Sequence, residues 1–140
     1  MVLDRVGLTG ASGMLGRHLL AEFERLDISC LCSSRSRPKR LASGSGWSPW
    51  DLRDPISHED LDRLFPGVQA IVHAGATVPP RPATETQEVL FDTNVRSALA
   101  LGEWACARRL PLVFISGAIV YSDPDRTGIK EGDDAVPFVG

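Results

Sequence analysis

Three glycines that follow the first apolar run of the chain have the spacing of a phosphate-binding turn. Gly10, Gly13 and Gly16 stand between the run Val6–Thr9 and a helical pattern. A pyrophosphate needs a tight turn, backbone N–H groups without an obstructing Cβ, and a helix N-terminus facing the anion. We assign the turn to Gly10, the phosphate approach to Gly13 and close helix–sheet packing to Gly16. The alternative is a glycine-rich turn that serves only compact packing.

Basic residues follow the second apolar run. The run Ile28–Cys32 leads into Ser33, Ser34 and Arg35, without the carboxylate that would bind the free 2′-hydroxyl of NAD(H). An Arg near this position accommodates the additional phosphate of NADP(H). We therefore predict that these three residues receive the 2′-phosphate and favour NADP(H) over NAD(H) as the cofactor. The alternative is a solvated basic loop.

Short apolar runs alternate with helical patterns along the chain. The predicted strands are Val6–Thr9, Ile28–Cys32, a weak piece around Trp47–Leu52, Val68–His73 and Leu112–Ile115. The predicted helices begin near Leu15, at the N-cap Ser57 (ending at Pro66-Gly67) and near Thr84 (running to Arg109). The apolar residues of the long helix near one face are Leu90, Val95, Ala98, Leu99, Gly102 and Cys106. This order predicts an α/β fold of Rossmann type, a doubly wound parallel sheet with strands covered on both faces.

Composition is that of an ordinary globular domain. The 140 residues are 43% hydrophobic and 24% charged, and the net charge of −3 argues against a nucleic-acid binder. The sequence shows neither a signal peptide nor an apolar run long enough to span a membrane. We expect the three cysteines to be reduced thiols in the buried core of a cytoplasmic protein, with no metal site.

Several ordered segments resemble the extended short-chain dehydrogenase/reductase family, the NAD(P)-dependent epimerases, dehydratases and reductases. The segments that carry the resemblance are Thr9–Gly16, Asp51-Leu52, Val72–Ala76, Asn94-Val95 and Phe114–Tyr121. The resemblance implies that they are the nucleotide turn, the adenine-contacting pair, a strand end along the cofactor, a supporting helix residue and the strand beside the nicotinamide. Together with the basic segment, the predicted cofactor-binding residues are Gly10, Ser12, Gly13, Met14, Leu15, Gly16, Ser33, Ser34, Arg35, Asp51, Leu52, Ala74, Gly75, Ala76 and Asn94.

Catalytic residues of the family match less well. Gly117 stands where the family has a catalytic Ser or Thr, so that Ser116 is a weak candidate beside it. Tyr121 is followed four residues later by Asp125, not by the Lys of the family's Tyr-x-x-x-Lys pair. We interpret Tyr121 as structural and His73 as a packed residue at a strand end. By the family's layout the catalytic pair would begin just beyond the last residue.

The sequence therefore predicts that residues 1–140 are an incomplete NAD(P)-binding Rossmann domain without its substrate-binding region. Its parent would be an oxidoreductase, epimerase or dehydratase acting on a small-molecule hydroxyl or carbonyl substrate, with nucleotide sugars as a candidate class. The alternatives are a non-catalytic NADP(H)-binding module, such as a redox-sensing regulator, and a degenerate protein that binds nothing. We expect these residues alone not to catalyse hydride transfer. We also expect them to expose a sheet edge and an apolar face, and so to aggregate or form a homodimer.

Overall fold

The protein forms a parallel sheet with helices on both faces. The computed structural model describes residues 3–78, 86–117, 127–128 and 130–133. The strands are β1 (Arg5–Thr9), β2 (Ser29–Ser34), β3 (Gly46–Pro49), β4 (Ala70–His73) and β5 (Leu112–Phe114). The helices are α1 (Met14–Arg25), α2 (His58–Leu64), α3 (Gln87–Phe91), a π-helical segment (Asp92–Arg96) and α4 (Ser97–Ala107). The predicted Rossmann-type α/β fold is confirmed.

The strand order creates a crevice at one end of the sheet. The order is β3-β2-β1-β4-β5, and every strand pair is parallel. The chain winds outward from β1 to β3 and then returns to place β4 on the other side of β1. Ligands of such sheets bind at the carboxyl ends of the strands where the winding direction reverses. The glycine turn lies at this point, between β1 and α1.

Alternating side chains divide the core into two layers. Val6 and Leu8 of β1 pack with Leu20 of α1 on one face of the sheet. Ile71 of β4 packs with Leu101 of α4 on the other. Successive residues of a strand point to opposite faces, so each strand contributes to both layers. The layers hold the strand ends in a fixed arrangement around the crevice.

β2 is longer at its carboxyl end than the sequence predicts. The prediction ended this strand at Cys32, whereas the sheet includes Ser33 and Ser34, which pair with Ser48 and Pro49 of β3. Serine has little intrinsic preference for strands, but β3 pairs with both serines here and β1 pairs with Ser33 as well. The extension places Ser33 and Ser34 within the sheet, and Arg35 directly follows the carboxyl end of β2.

The long helix buries a different face from the predicted apolar stripe. Leu99 is 59% exposed and Val95 is also exposed, whereas Leu101 and Trp104 are almost completely buried. Glu103 is the only charged residue in α4. Because the helix is apolar around most of its circumference, periodicity alone did not select the face, and burial of the large Trp104 ring decides it.

Two further predictions about burial need correction. Cys30 and Cys32 are buried, and burial raises the pKa of Cys32 to about 11, but Cys106 is exposed on α4. All residues of β5 are exposed. The general prediction that strands are covered on both faces is therefore wrong for β5, whereas its exposure agrees with the expected uncovered sheet edge and apolar face. Within the described ranges, β5 pairs only with β4 and forms the edge of the sheet. No helix in the described part of the chain is both long and apolar enough to cross a bilayer.

Candidate functional site

A cleft opens at the carboxyl ends of β1, β2 and β4. It is lined by Gly10, Ser12, Gly13, Ser33, Ser34, Arg35, Trp50, Asp51, Leu52, Arg53, Ala74, Gly75, Ala76, Thr77 and Thr93. Most of the residues predicted to bind a cofactor are thus brought together from separate parts of the sequence. The cleft extends across the switch point of the sheet, where an elongated ligand would span several strand ends.

The glycine turn leaves the backbone bare at the centre of the cleft. Gly10 has a φ of +72°, and a Cβ on it would lie 2.6 Å from the Cα atom of Gly75. The amide of Gly13 donates to the carbonyl oxygen of Gly10 at 3.0 Å, which closes the turn. A Cβ on Gly16 would lie 2.2 Å from that same oxygen. Gly10 and Gly16 are therefore required by the geometry of the turn, and not by the ligand alone, whereas a Cβ on Gly13 would meet only the Gly10 oxygen, at 3.2 Å.

The start of α1 supplies unpaired amides for an anion. The helix begins at Met14, directly after Gly13, which provides no side-chain cap. The first amides of a helix have no acceptor within it, and the helix dipole adds positive partial charge there. Met14 and Leu15 do not line the cleft with their side chains, and the Met14 side chain is 73% exposed. Any contribution of these two residues would therefore come from their backbone.

The end of β2 contains two serines with different hydrogen-bonding states. The Ser33 hydroxyl is buried and has no hydrogen-bond partner among the described residues. The Ser34 hydroxyl donates to the Ser36 carbonyl at 2.7 Å and accepts from the Trp47 indole at 3.2 Å. Its proton is therefore already engaged. Ser33 and the exposed Arg35 are the better-placed groups at this end of the cleft.

An ion pair closes the β3 side of the cleft. The Asp51 carboxylate accepts from the Arg53 guanidinium, with the shortest contact at 2.6 Å. These hydrogen bonds hold the pKa of Asp51 below its ordinary value. Leu52, which lies between these two residues in the sequence, packs closely against Gly75. A Cβ on Gly75 would lie only 2.6 Å from the Cδ1 atom of Leu52. The predicted pair Asp51-Leu52 is thus accompanied by Arg53, a second guanidinium beside Arg35.

The strand end of β4 is fixed by a buried polar pair. His73 is 2% exposed, and its Nδ1 atom lies 2.6 Å from the Thr9 hydroxyl at the end of β1. The amide of Gly75 donates to the same hydroxyl at 3.4 Å. Burial lowers the pKa of His73 to about 4, so the ring is neutral at physiological pH. The interpretation of His73 as a packed strand-end residue is confirmed.

Asn94 supports the cleft from behind. Its amide group accepts from the Thr77 backbone N–H and donates to the Thr77 carbonyl, both at 2.8 Å. Both ends of the amide are therefore used to hold the loop after β4. The neighbouring residue of the π-helical segment, Thr93, lines the cleft instead. π-Helical turns are rare and are found preferentially at functional sites.

The weak catalytic candidate lies outside the cleft. Ser116 and Gly117 follow β5 and are exposed, and neither lines the cleft. Tyr121 and Asp125 lie outside the described residues. Within the described ranges, no predicted catalytic residue therefore lines the cleft.

The sequence analysis missed four lining residues, Trp50, Arg53, Thr77 and Thr93. Arg53 had a signal, because an Arg two residues after Asp51 is within reach of its carboxylate. Thr77 lies one residue beyond the predicted segment Ala74–Ala76. Thr93 had no signal of its own, since its orientation depends on the π-helical segment.

Comparisons with known proteins agree with this geometry. The model of the NAD dependent epimerase/dehydratase family matches residues 6–139. The fusarin C synthetase of Gibberella fujikuroi is 33% identical over 95% of this chain, which spans 4% of that protein. The UDP-glucose 4-epimerase of Azospirillum brasilense is 28% identical over 96% of this chain, which spans 39% of that protein.

A similar fold is seen in solved structures. The Bordetella bronchiseptica enzyme WbmG, in complex with NAD and UDP, superposes with a TM-score of 0.78 at 20% identity. The match covers 98% of this chain and 45% of WbmG. The chain thus spans less than half the length of each of these proteins.

Proposed function

Because the chain belongs to the NAD dependent epimerase/dehydratase family, we propose that it is the cofactor-binding part of an oxidoreductase or epimerase. The observation that carries this proposal is the cleft in which the backbone of Gly10 meets that of Gly75 beside the uncapped start of α1. The first amides of α1 lack acceptors within the helix, so they can bind a pyrophosphate that lies in this cleft. Gly10 and Gly16 let the turn pack closely enough to bring these amides to the carboxyl end of the sheet. When bound, the nicotinamide would accept or donate a hydride.

The substrate is a small molecule with a hydroxyl or carbonyl group. Nucleotide-linked sugars are one candidate class, which the similarity to a UDP-glucose 4-epimerase supports. The similarity to a fusarin C synthetase covers the same part of this chain, so the shared module does not by itself specify a substrate. Substrate-specific groups would then belong to the remaining part of a longer protein.

A non-catalytic binding module is the second candidate. The position of Gly117 favours it, because the family has a Ser or Thr there and the adjacent Ser116 lies outside the cleft. A protein of this kind would bind the dinucleotide without turning it over. Assaying hydride transfer in a gene product that extends beyond residue 140 would distinguish the two candidates.

We also propose that the preferred cofactor is NADP(H). The end of β2 presents Arg35 without a carboxylate, and the nearby Asp51 is already paired with Arg53. A phosphate between Arg35 and Arg53 would gain charge-assisted hydrogen bonds that a ribose hydroxyl would not. In calorimetric titrations we expect NADPH to bind more tightly than NADH. We expect Arg35→Ala to weaken NADPH binding about tenfold while leaving NADH binding nearly unchanged.

Arg37→Ala is the matched control for this titration. Arg37 is an exposed Arg two residues away and does not line the cleft. Equal affinities for NADPH and NADH, both unaffected by Arg35→Ala, would contradict the NADP(H) preference. The loss of NADPH affinity in both variants would indicate general electrostatic attraction instead of a specific contact.

Self-association through α4 and β5 is the last part of the proposal. Val95, Ala98, Leu99 and Gly102 of the long helix adjoin Leu112 and Phe114 of β5 on an apolar surface. Contiguous apolar patches of this kind mark interaction surfaces, and an unpaired strand edge adds to the tendency. We expect the 140-residue chain to form dimers or larger species in analytical ultracentrifugation, and Leu99→Glu to shift it towards monomer.

Leu26→Glu serves as the control for association. Leu26 is 49% exposed at the end of α1, away from the proposed surface. The same shift in both variants would mean that charge alone reduces association. A wild-type chain that stays monomeric at all concentrations would rule out this surface as a dimer interface.

A further inference from the structure

Three strands meet at one buried histidine. The His73 ring stacks against Phe114 of β5, with ring centroids 5.6 Å apart, and its Nδ1 atom contacts the Thr9 hydroxyl of β1 at 2.6 Å. Thr9 and His73 are both almost fully buried. Within the described residues, Nε2 of His73 has no hydrogen-bond partner. Within the part of the chain that the structure describes, the Thr9 hydrogen bond and the Phe114 stack are the contacts that orient the ring.

The direction of the Thr9–His73 hydrogen bond follows from the hydroxyl's other contact. The Gly75 amide can only donate, so the Thr9 oxygen accepts from it. In the described part of the chain, the hydroxyl proton of Thr9 has no acceptor other than His73 Nδ1. If Nδ1 carried the ring proton, two buried groups would have no partner among the described residues, the Thr9 hydroxyl proton and the Nε2 lone pair. With the ring proton on Nε2, only the Nε2–H is unpaired, which is the less unfavourable arrangement. Thr9 therefore donates to Nδ1, and the ring proton resides on Nε2.

The Thr9–His73 pair is connected to one wall of the cleft through a hydrogen bond to Gly75. The Thr9 hydroxyl accepts a hydrogen bond from the amide of Gly75. The backbone of Gly75 would in turn clash with any Cβ placed on Gly10. Gly75 and its neighbours Ala74 and Ala76 line the cleft opposite the glycine turn. The position of this wall relative to the turn sets the space available to a pyrophosphate. When the Thr9 hydroxyl is held in one orientation, it keeps the Gly75 amide in place and so maintains the distance between this wall and the glycine turn.

We propose that His73 is a positioning residue for the dinucleotide. Its Nδ1 atom accepts the Thr9 proton, which directs the Thr9 oxygen towards the Gly75 amide and holds the β4 loop against the glycine turn. Phe114 packs on the other side of this arrangement and links the same ring to β5. His73 therefore acts through Thr9 and Gly75 and does not touch the cofactor itself. The inference rests on the proposed dinucleotide binding.

The test compares cofactor affinity among variants of Thr9 and His73 in the full 140-residue chain. His73→Phe keeps an aromatic ring but removes the acceptor, Thr9→Val keeps the shape but removes the hydroxyl, and Thr9→Ser keeps the hydroxyl. We expect the first two to weaken NADPH binding about five- to tenfold, the size of one lost hydrogen bond. Thr9→Ser should stay within about twofold, and the double variant should be no weaker than either single one.

Nitrogen NMR of the His73 ring gives a readout that does not depend on cofactor. We expect the Nε2–H tautomer in the wild-type chain and in Thr9→Ser. The Nδ1–H tautomer would overturn the inference, as would wild-type affinity in Thr9→Val or multiplying effects in the double variant. If His73→Phe does not fold, the comparison of Thr9→Val with Thr9→Ser decides. A wild-type chain that binds no dinucleotide would overturn the proposed function together with this inference, whereas unchanged variants of a binding wild type would overturn the inference alone.

Discussion

We expect Gly10→Ala to abolish measurable dinucleotide binding, with a loss of a hundredfold or more, about 3 kcal/mol. Two effects add at this position. The φ of +72° is unfavourable for a residue with a Cβ, by about 1–2 kcal/mol. The new methyl group would also lie 2.6 Å from the backbone of Gly75, which cannot move without displacing the β4 loop. The turn and the opposite wall would separate, and the amides at the start of α1 would no longer converge on the phosphates.

Gly44→Ala separates these two effects. Gly44 has a φ of +77°, but the nearest atom to a Cβ there is the Ser29 Cβ at 3.9 Å. The control therefore has the same backbone strain without a steric clash and lies outside the cleft. We expect both variants to lose a similar part of their stability to strain, and only Gly10→Ala to lose NADPH binding in calorimetry. Binding by Gly10→Ala within a few fold of wild type would mean that the turn does not form the phosphate site.

The sequence was sufficient to predict this turn but not its opposite wall. The spacing of Gly10, Gly13 and Gly16 after an apolar run requires a strand–turn–helix, which is determined by local backbone geometry. The contact of Gly10 with Gly75 depends on the pairing of β1 with β4. That pairing joins residues far apart in the sequence, and no local pattern specifies its register. The Thr9–His73 bond escaped prediction for the same reason.

For residues in the cofactor motifs, the sequence predicted the position in the fold better than the hydrogen-bond partners of the side chain. Asp51 and Asn94 both lie at the cleft or directly behind it, but their side chains are engaged by Arg53 and Thr77. A motif identifies the place of a residue in the fold, whereas its hydrogen-bond partner depends on which neighbours packing brings within reach. Thr93 lines the cleft because a π-helical segment interrupts the long helix, and the sequence gives no clear signal for that interruption.

The second large effect concerns the buried face of α4. We expect Leu101→Ala to lower the free energy of unfolding by about 3 kcal/mol, because it would leave a cavity in the layer between the helices and the sheet. Leu101 is completely buried and belongs to a cluster with Leu61, Phe65 and Trp104. Alanine is at least as good a helix former as leucine, so the loss would reflect packing alone. Equilibrium unfolding in urea measures it.

Leu99→Ala is the matched control and decides which face of α4 is buried. Leu99 lies two residues away in the same helix but is 59% exposed, so we expect its replacement to change stability by no more than about 0.5 kcal/mol. Protein concentration should be kept below the range of self-association, because Leu99 lies on the proposed contact surface. A cost at Leu99 equal to that at Leu101 would mean that the predicted apolar stripe is buried as well. A large cost at Leu101 alone would show that the face carrying Leu101 and Trp104 is the buried one in a helix that is apolar almost all round.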